Sequence, residues 1–96
     1  MRTLDLVKMQ ADAIRQLVSK YGSSNPRLFG SVLKYENTDS SDIDVLVDAS
    51  PSTTLFDLGA LQQELEQLLR HPVDLLTPED LPVKFRHQVL LEAQAI

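Results

Sequence analysis

A Gly-Ser pair and two closely spaced carboxylates could together support phosphate chemistry. Asp42 and Asp44 have one residue between them, so on a β-strand both side chains point to the same face and could bind a divalent cation. Gly30 lets the backbone approach a phosphate, and Ser31 adds a hydroxyl and an N–H at a predicted helix start. Lys34, one turn later, could direct its ammonium at the same anion. Phosphate and metal binding together favour phosphoryl or nucleotidyl transfer.

A third carboxylate would complete such a site. Nucleotidyl transfer needs the triphosphate neutralised and the acceptor hydroxyl activated, and two divalent ions on a carboxylate cluster do both. Asp74 is the preferred candidate, because it lies in the apolar stretch Val73-Asp74-Leu75-Leu76, where a charged residue is unexpected unless it has a function. Asp48 is the rival, since it shares a strand face with Asp44, but solvent exposure beside a Ser-Pro turn explains it.

Composition limits the classes of function. The chain has 96 residues, which predicts one domain over 1–96 with a modest core. Its net charge of −5, with nine scattered basic residues, argues against direct nucleic-acid binding, which needs clustered Lys and Arg. Arg27 could reach a phosphate, but it is interpreted as a solvated charge at a strand edge. No cysteine is present, which excludes disulfides and thiolate metal sites.

The N-terminal segment predicts a cytoplasmic protein without a membrane partner. Arg2, Asp5, Lys8 and Asp12 interrupt residues 1–13, so they cannot form the apolar core of a signal peptide. No apolar run is long enough to cross a bilayer.

The periodicity of apolar residues predicts an α/β (α+β) fold. Helical patterns cover 4–21, 55–69 and 83–94, and short apolar runs predict strands at 27–29, 43–48 and 73–76. Local signals mark the boundaries: Gly22 as a helix end, a turn over 23–26, Thr54 with Asp57 as a capping box, His71-Pro72 as a stop, and Thr77-Pro78 as a helix start. Residues 31–36 could form one or two helical turns, followed by a loop to Ser41. This order predicts a small mixed sheet with helices packed against it.

The segment "RLFGSVLKYENTDSSDIDVLVD" resembles the signature of the DNA polymerase β-like nucleotidyltransferase superfamily. It is most similar to the MNT type, the stand-alone minimal nucleotidyltransferases, and the likeness spans nearly the whole chain. The resemblance implies that Gly30 and Ser31 form the triphosphate-binding turn. It implies that Asp42 and Asp44 are catalytic metal ligands, and that Asp74 is the third carboxylate and a candidate base for the acceptor hydroxyl.

One position departs from the pattern of the family. Many members have a basic residue followed by glycine in this segment; here Lys34 keeps the charge, but Tyr35 replaces the glycine. If that position requires a positive φ, Tyr35 is costly there. The three carboxylates are intact, which argues against a dead enzyme.

The resemblance also implies substrates and a partner. MNT proteins act with Mg²⁺, here as two ions, and ATP, and they are paired with HEPN-domain toxins as the antitoxin. Some members transfer AMP to a toxin tyrosine, and the acidic charge of this chain suits a protein acceptor. Two alternatives stay open: a catalytically dispensable binding module that occludes the toxin, and transfer to a small molecule. Nucleotide choice and homo- or hetero-oligomeric state also stay open.

Overall fold

The sheet of this protein is mixed and four-stranded. The computed structural model describes residues 3–30 and 42–96. The strand order is β3-β2-β1-β4, with β2 and β3 parallel and the other two pairings antiparallel. The elements are, in chain order, α1 (Thr3–Met9), α2 (Ala11–Lys20), β1 (Ser23–Phe29), β2 (Ile43–Ala49), α3 (Leu55–Leu69), β3 (Val73–Leu76), a 3₁₀ helix (Pro78–Asp80), α4 (Val83–Glu92) and β4 (Gln94–Ala95). The predicted fold class, helices on a small mixed sheet, is confirmed.

The core lies between one face of the sheet and the helices. Ile43, Val45 and Val47 alternate along β2 and are buried in a cluster with apolar residues of α1, α2 and α3. Because successive side chains of a strand point to opposite faces, Asp44 and Asp48 lie on the other face. The alternation that builds the core therefore places the carboxylates of β2 away from the helical layer.

The predicted first helix is helical but not continuous. Gln10, with φ −99° and ψ 13°, separates α1 from α2. Hydrogen bonds still pass through it: the Gln10 N–H donates to the Leu6 carbonyl at 3.1 Å, and the Ile14 N–H donates to the Gln10 carbonyl at 2.9 Å. The prediction of a single helix over 4–21 was therefore wrong. The break could not be predicted, because the apolar pattern runs through this position without interruption. Gly22 follows the end of α2 with φ +75°, as predicted.

The turn predicted over 23–26 is part of β1. Asn25 has φ +53°, and the register with β2 shifts between Ser24 and Arg27. Asparagine tolerates the left-handed region because its short polar side chain bonds locally. The turn-forming residues therefore make a bulge inside the strand rather than ending it.

The elements around α3 match the prediction. Thr54 Oγ1 accepts a hydrogen bond from the Asp57 N–H, and Asp57 Oδ2 accepts one from the Thr54 N–H. Arg70, with φ +56°, ends the helix one residue before His71-Pro72. These boundaries fix where β3 begins, and β3 carries Asp74.

The C-terminal segment differs from the prediction. Thr77-Pro78 begins only a 3₁₀ turn, and α4 ends at Glu92 rather than continuing to residue 94. Gln94–Ala95 form β4, which pairs with Leu28 and Arg27 of β1. A stretch of two residues is too short to show strand periodicity, so this pairing could not be predicted. In the part of the chain that the structure describes, no helix is long and apolar enough to span a membrane. The helical turns predicted at 31–36 and the loop after them lie outside the described residues.

Candidate active site

Gly30, Asp44 and Asp74 come together across three adjacent strands. Phe29 pairs with Asp44 in the antiparallel β1–β2 ladder, and Asp44 pairs with Asp74 in the parallel β2–β3 ladder. Gly30 directly follows Phe29 at the end of β1. Neighbouring strands are about 4.8 Å apart, so paired side chains on one face are neighbours. The fold thus aligns three residues that are distant in sequence.

Gly30 is in close contact with the Asp44 side chain. Its φ is +78°, a region that favours glycine. A Cβ atom at this position would lie 3.2 Å from Asp44 Cγ and 3.6 Å from Asp44 Cβ, and closer still to Oδ2. The carboxylate therefore occupies the space that any other side chain at position 30 would need.

Asp44 is electrostatically unfavourable as a carboxylate. Burial, together with the smaller effects of the nearby Asp74 and Asp42 charges, raises its pKa to about 6. Asp44 itself is half-buried, whereas Asp42, just before β2, and Asp74 are exposed. The site therefore combines one partly desolvated carboxylate with two solvent-accessible ones, whose charges disfavour the ionised form of Asp44.

This donor set fits a divalent cation. All its ligand atoms are carboxylate oxygens, which Mg²⁺ prefers, and a bound cation would offset the repulsion that raises the pKa of Asp44. Within residues 3–30 and 42–96, no three carboxylate or imidazole side chains stand close enough to enclose an ion as they are placed. The three aspartates are thus neighbours on one sheet face rather than a closed ligand shell.

Asp48 is held in a different environment. Arg27 Nη1 donates to Asp48 Oδ1 at 3.1 Å and to the Asn25 carbonyl at 2.6 Å, and Asn25 Nδ2 donates to Asp48 Oδ2. The Arg27 side chain is only 11% exposed, so its interpretation as a solvated charge was wrong. Its buried guanidinium needs a charged partner, and Asp48 supplies it. Asp48 also lies four residues, or about 13 Å, along β2 from Asp44.

Three residues considered from the sequence cannot be placed. Ser31 and Lys34, the candidate phosphate ligands, and Tyr35, at the usual glycine position, lie outside the described residues. Gly30 is therefore the described end of the predicted phosphate-binding turn.

One residue near the site was missed by the sequence reasoning. Glu66 of α3 accepts a hydrogen bond from the Val73 N–H at 2.9 Å, immediately before Asp74. In the sequence Glu66 stands among the polar positions of an amphipathic helix, so its spacing gave no signal. Only the packing of α3 beside β3 brings the two together.

A mixed sheet that aligns a glycine turn with a pair of strand carboxylates and a third on the next strand is the arrangement of a nucleotidyltransferase domain. The chain belongs to the polymerase beta nucleotidyltransferase family, whose pattern matches residues 13–96. The resemblance of the Gly30–Asp44 segment to this superfamily is thereby confirmed.

Individual relatives agree with this assignment. The chain is 35% identical over 77 residues to MJ0435 of Methanocaldococcus jannaschii, named a candidate protein adenylyltransferase, covering 80% of this chain and 83% of that protein. The solved structure of a candidate minimal nucleotidyltransferase matches with a TM-score of 0.83 and 34% identity, covering 97% of this chain and 93% of the other.

A more distant structural match supports the fold alone. It is the complex of a tri-AMPylated HEPN toxin of Shewanella oneidensis with its MNT antitoxin, with a TM-score of 0.67 and 22% identity. The match covers 92% of this chain and 69% of the other.

Proposed function

We propose that this chain, as a single cytoplasmic nucleotidyltransferase domain, transfers AMP from ATP to a tyrosine hydroxyl of a partner HEPN toxin and thereby acts as its antitoxin. The observation that carries the proposal is the alignment of Gly30, Asp44 and Asp74 on adjacent strands, with Asp42 beside them. Support for a protein acceptor comes from the name of the M. jannaschii relative and from the AMPylated toxin in the distant complex.

The proposed roles divide these residues between the metal ions and the phosphates. Asp42 and Asp44, with Asp74, would hold two Mg²⁺ ions, which neutralise the triphosphate and lower the pKa of the attacking hydroxyl when bound. Gly30 keeps the backbone open to the phosphates, and Ser31 with Lys34 would contact them.

Asp74 is the proposed base, because it is exposed beside Asp44 on the outermost strand. The acceptor oxygen bonds to the α-phosphorus, its proton passes to a carboxylate, and the bond to the β-phosphate breaks to release pyrophosphate.

The surface of α4 favours a protein partner. Val83, Phe85 and Leu91 are 80%, 54% and 68% exposed, although each is a large apolar side chain. Exposed apolar side chains grouped on one element are a feature of protein-binding surfaces. This surface also favours the second candidate function, in which the chain neutralises the toxin by binding and occlusion without catalysis.

The test is transfer of label from α-³²P-ATP to the folded toxin in the presence of Mg²⁺. We expect label on the toxin with the wild-type chain and with Asp12→Asn, a surface control outside the site. The Asp42→Asn, Asp44→Asn double variant should lose the activity by about a hundredfold or more, because the carboxylates that hold the metal are gone. Absence of label on toxin that is folded and bound would overturn the enzymatic proposal. Label on a small molecule instead would favour the small-molecule acceptor.

A second measurement separates transfer from occlusion. Survival is compared between toxin-expressing cells that carry the wild-type chain and cells that carry the double variant. If transfer is the function, the double variant loses protection while it still binds the toxin. Protection at the wild-type level by the double variant would show that binding suffices.

A further inference from the structure

The position of Asp74 depends on a short strand at the border of the sheet. β3 has four residues, Val73–Leu76, and lies at one end of the strand order. Among the residues that the structure describes, β2 is the one strand that pairs with it, and Asp74 itself is exposed. A short edge strand frays unless something holds its outer side, because its outward backbone groups have no partner strand.

On the inner side, β2 holds the start of β3. The Ile43 N–H donates to the Pro72 carbonyl at 2.8 Å, and Ile43 is the register partner of Val73. In a parallel ladder, alternate residues bond to the neighbouring strand. The backbone hydrogen-bonding groups of residues 72 and 74 therefore point towards β2, and the Val73 N–H points to the opposite side of β3.

Glu66 takes the place of a partner strand on the outer side. Its Oε2 accepts the Val73 N–H at 2.9 Å. Leu65 and Leu69, on either side of Glu66 in α3, are fully buried, so this turn of the helix is fixed on the core. A hydrogen bond to a carboxylate is stronger than one between neutral groups. The start of β3 is thus held from both sides, at Pro72 by β2 and at Val73 by Glu66.

We propose that Glu66 is a positioning residue that sets the place of the Asp74 carboxylate relative to Asp44. Glu66 acts through the Val73 amide and does not itself contact substrate. The proposal rests on the proposed function for its activity measurements. It also makes a claim about the backbone that can be tested without ATP or a partner.

The first measurement is the amide exchange of Val73 in Glu66→Ala, Glu66→Gln and the control Gln67→Ala, whose side chain is exposed one position further along α3. Loss of the charged acceptor should accelerate Val73 exchange about tenfold in Glu66→Ala. The glutamine variant can still accept the hydrogen bond and should restore most of the protection, and the control should match the wild type. Unchanged exchange in Glu66→Ala would overturn the inference.

The second measurement is a double-mutant cycle with Asp74→Asn. At a temperature where all variants are folded, Glu66→Ala should lower kcat about tenfold or more and leave the KM for ATP within about twofold. If Glu66 acts through Asp74, Glu66→Ala should cost little more in the Asp74→Asn background. The positioning role would be overturned if Glu66→Ala lowered kcat by its full factor in the Asp74→Asn background as well. It would also be overturned if the loss of kcat matched the fraction of unfolded protein.

The two proposals can fail separately. If the wild-type chain transfers no AMP, the proposed function falls, while Val73 exchange and the NMR shift of the Asp74 carboxyl still test Glu66. Glu66→Ala should then shift the Asp74 carboxyl signal and leave that of Asp48 unchanged. If transfer works but neither the exchange nor the carboxyl signal responds, only the inference about Glu66 falls.

Discussion

Asp44 is a residue whose charge opposes folding. Burial, followed by the charges of Asp74 and Asp42, raises its pKa from 3.8 to about 6. Because the pKa is higher in the folded state, Asp44 stabilises the fold below about pH 4, and this contribution is lost as the pH rises through about 6. At neutral pH the folded protein therefore holds a carboxylate that would be more stable in water, as expected where a cation is to be bound.

Asp44→Asn should stabilise the protein at neutral pH while it abolishes transfer. Removing the charge should raise the free energy of unfolding at pH 7.5 by about 1 kcal/mol, after a discount for solvent screening. This corresponds to roughly 4–8 °C in Tm, and the gain should disappear near pH 4. Thermal unfolding without divalent cations checks both values.

The matched control for Asp44→Asn is Asp48→Asn. That change should destabilise the protein, because the buried Arg27 guanidinium loses its charged partner. A lower Tm for Asp44→Asn at pH 7.5 would contradict the account of its charge.

Gly30→Ala should damage both the fold and the site. The positive φ alone costs about 1–2 kcal/mol for alanine, and the new methyl group must displace the Asp44 carboxylate. We expect a lower Tm and a loss of transfer larger than the loss of folded protein. Gly59→Ala is the control, and we expect it to change the stability in the opposite direction. Gly59 lies within α3, and a Cβ there would meet no atom outside the helix backbone within 4 Å. This substitution should stabilise the protein by about 0.5–1 kcal/mol. Transfer activity at the wild-type level in the Gly30→Ala variant would contradict the close contact between Gly30 and the Asp44 carboxylate.

At the scale of elements, the sequence predicted those boundaries that depend on residues within the same segment. The boundaries of α3 were readable from its capping box and leucine periodicity, and those of β3 from a short apolar run between His71-Pro72 and Thr77-Pro78. Three other features were not readable from the sequence: the separation of α1 from α2 at Gln10, the bulge at Asn25 and the strand at 94–95. Each depends on how a segment meets the sheet, which periodicity does not record.

The same distinction applies to the candidate site. The close spacing of Asp42, just before β2, and Asp44, in β2, was readable from the sequence. Asp74 was readable only as a charge in an apolar run. The pairing of Arg27 with Asp48 and the contact of Glu66 with Val73 join residues that are 21 and 7 positions apart. Both needed the packed structure, since neither residue type nor spacing indicates a partner.

Charge distribution dominates the behaviour of the whole molecule. The chain carries a net charge of −5, and three of its carboxylates are neighbours on one face of the sheet. Free ATP, a polyanion, should be repelled by this face. A divalent cation bound at the proposed site would change the sign of the interaction, because it would neutralise the triphosphate and the carboxylates together.

Stabilisation by ATP should therefore require Mg²⁺. A ligand that binds only the folded state raises the free energy of unfolding by about 2.7 kcal/mol at a hundredfold excess over Kd. We expect a rise in Tm with ATP and Mg²⁺ together and none with ATP and EDTA. The Asp42→Asn, Asp44→Asn double variant should show no rise under either condition, although removal of its charges should make it intrinsically more stable. That combination, higher Tm but no response, separates a lost binding site from a damaged fold. An equal rise with ATP and EDTA would mean that the nucleotide binds without the carboxylate site.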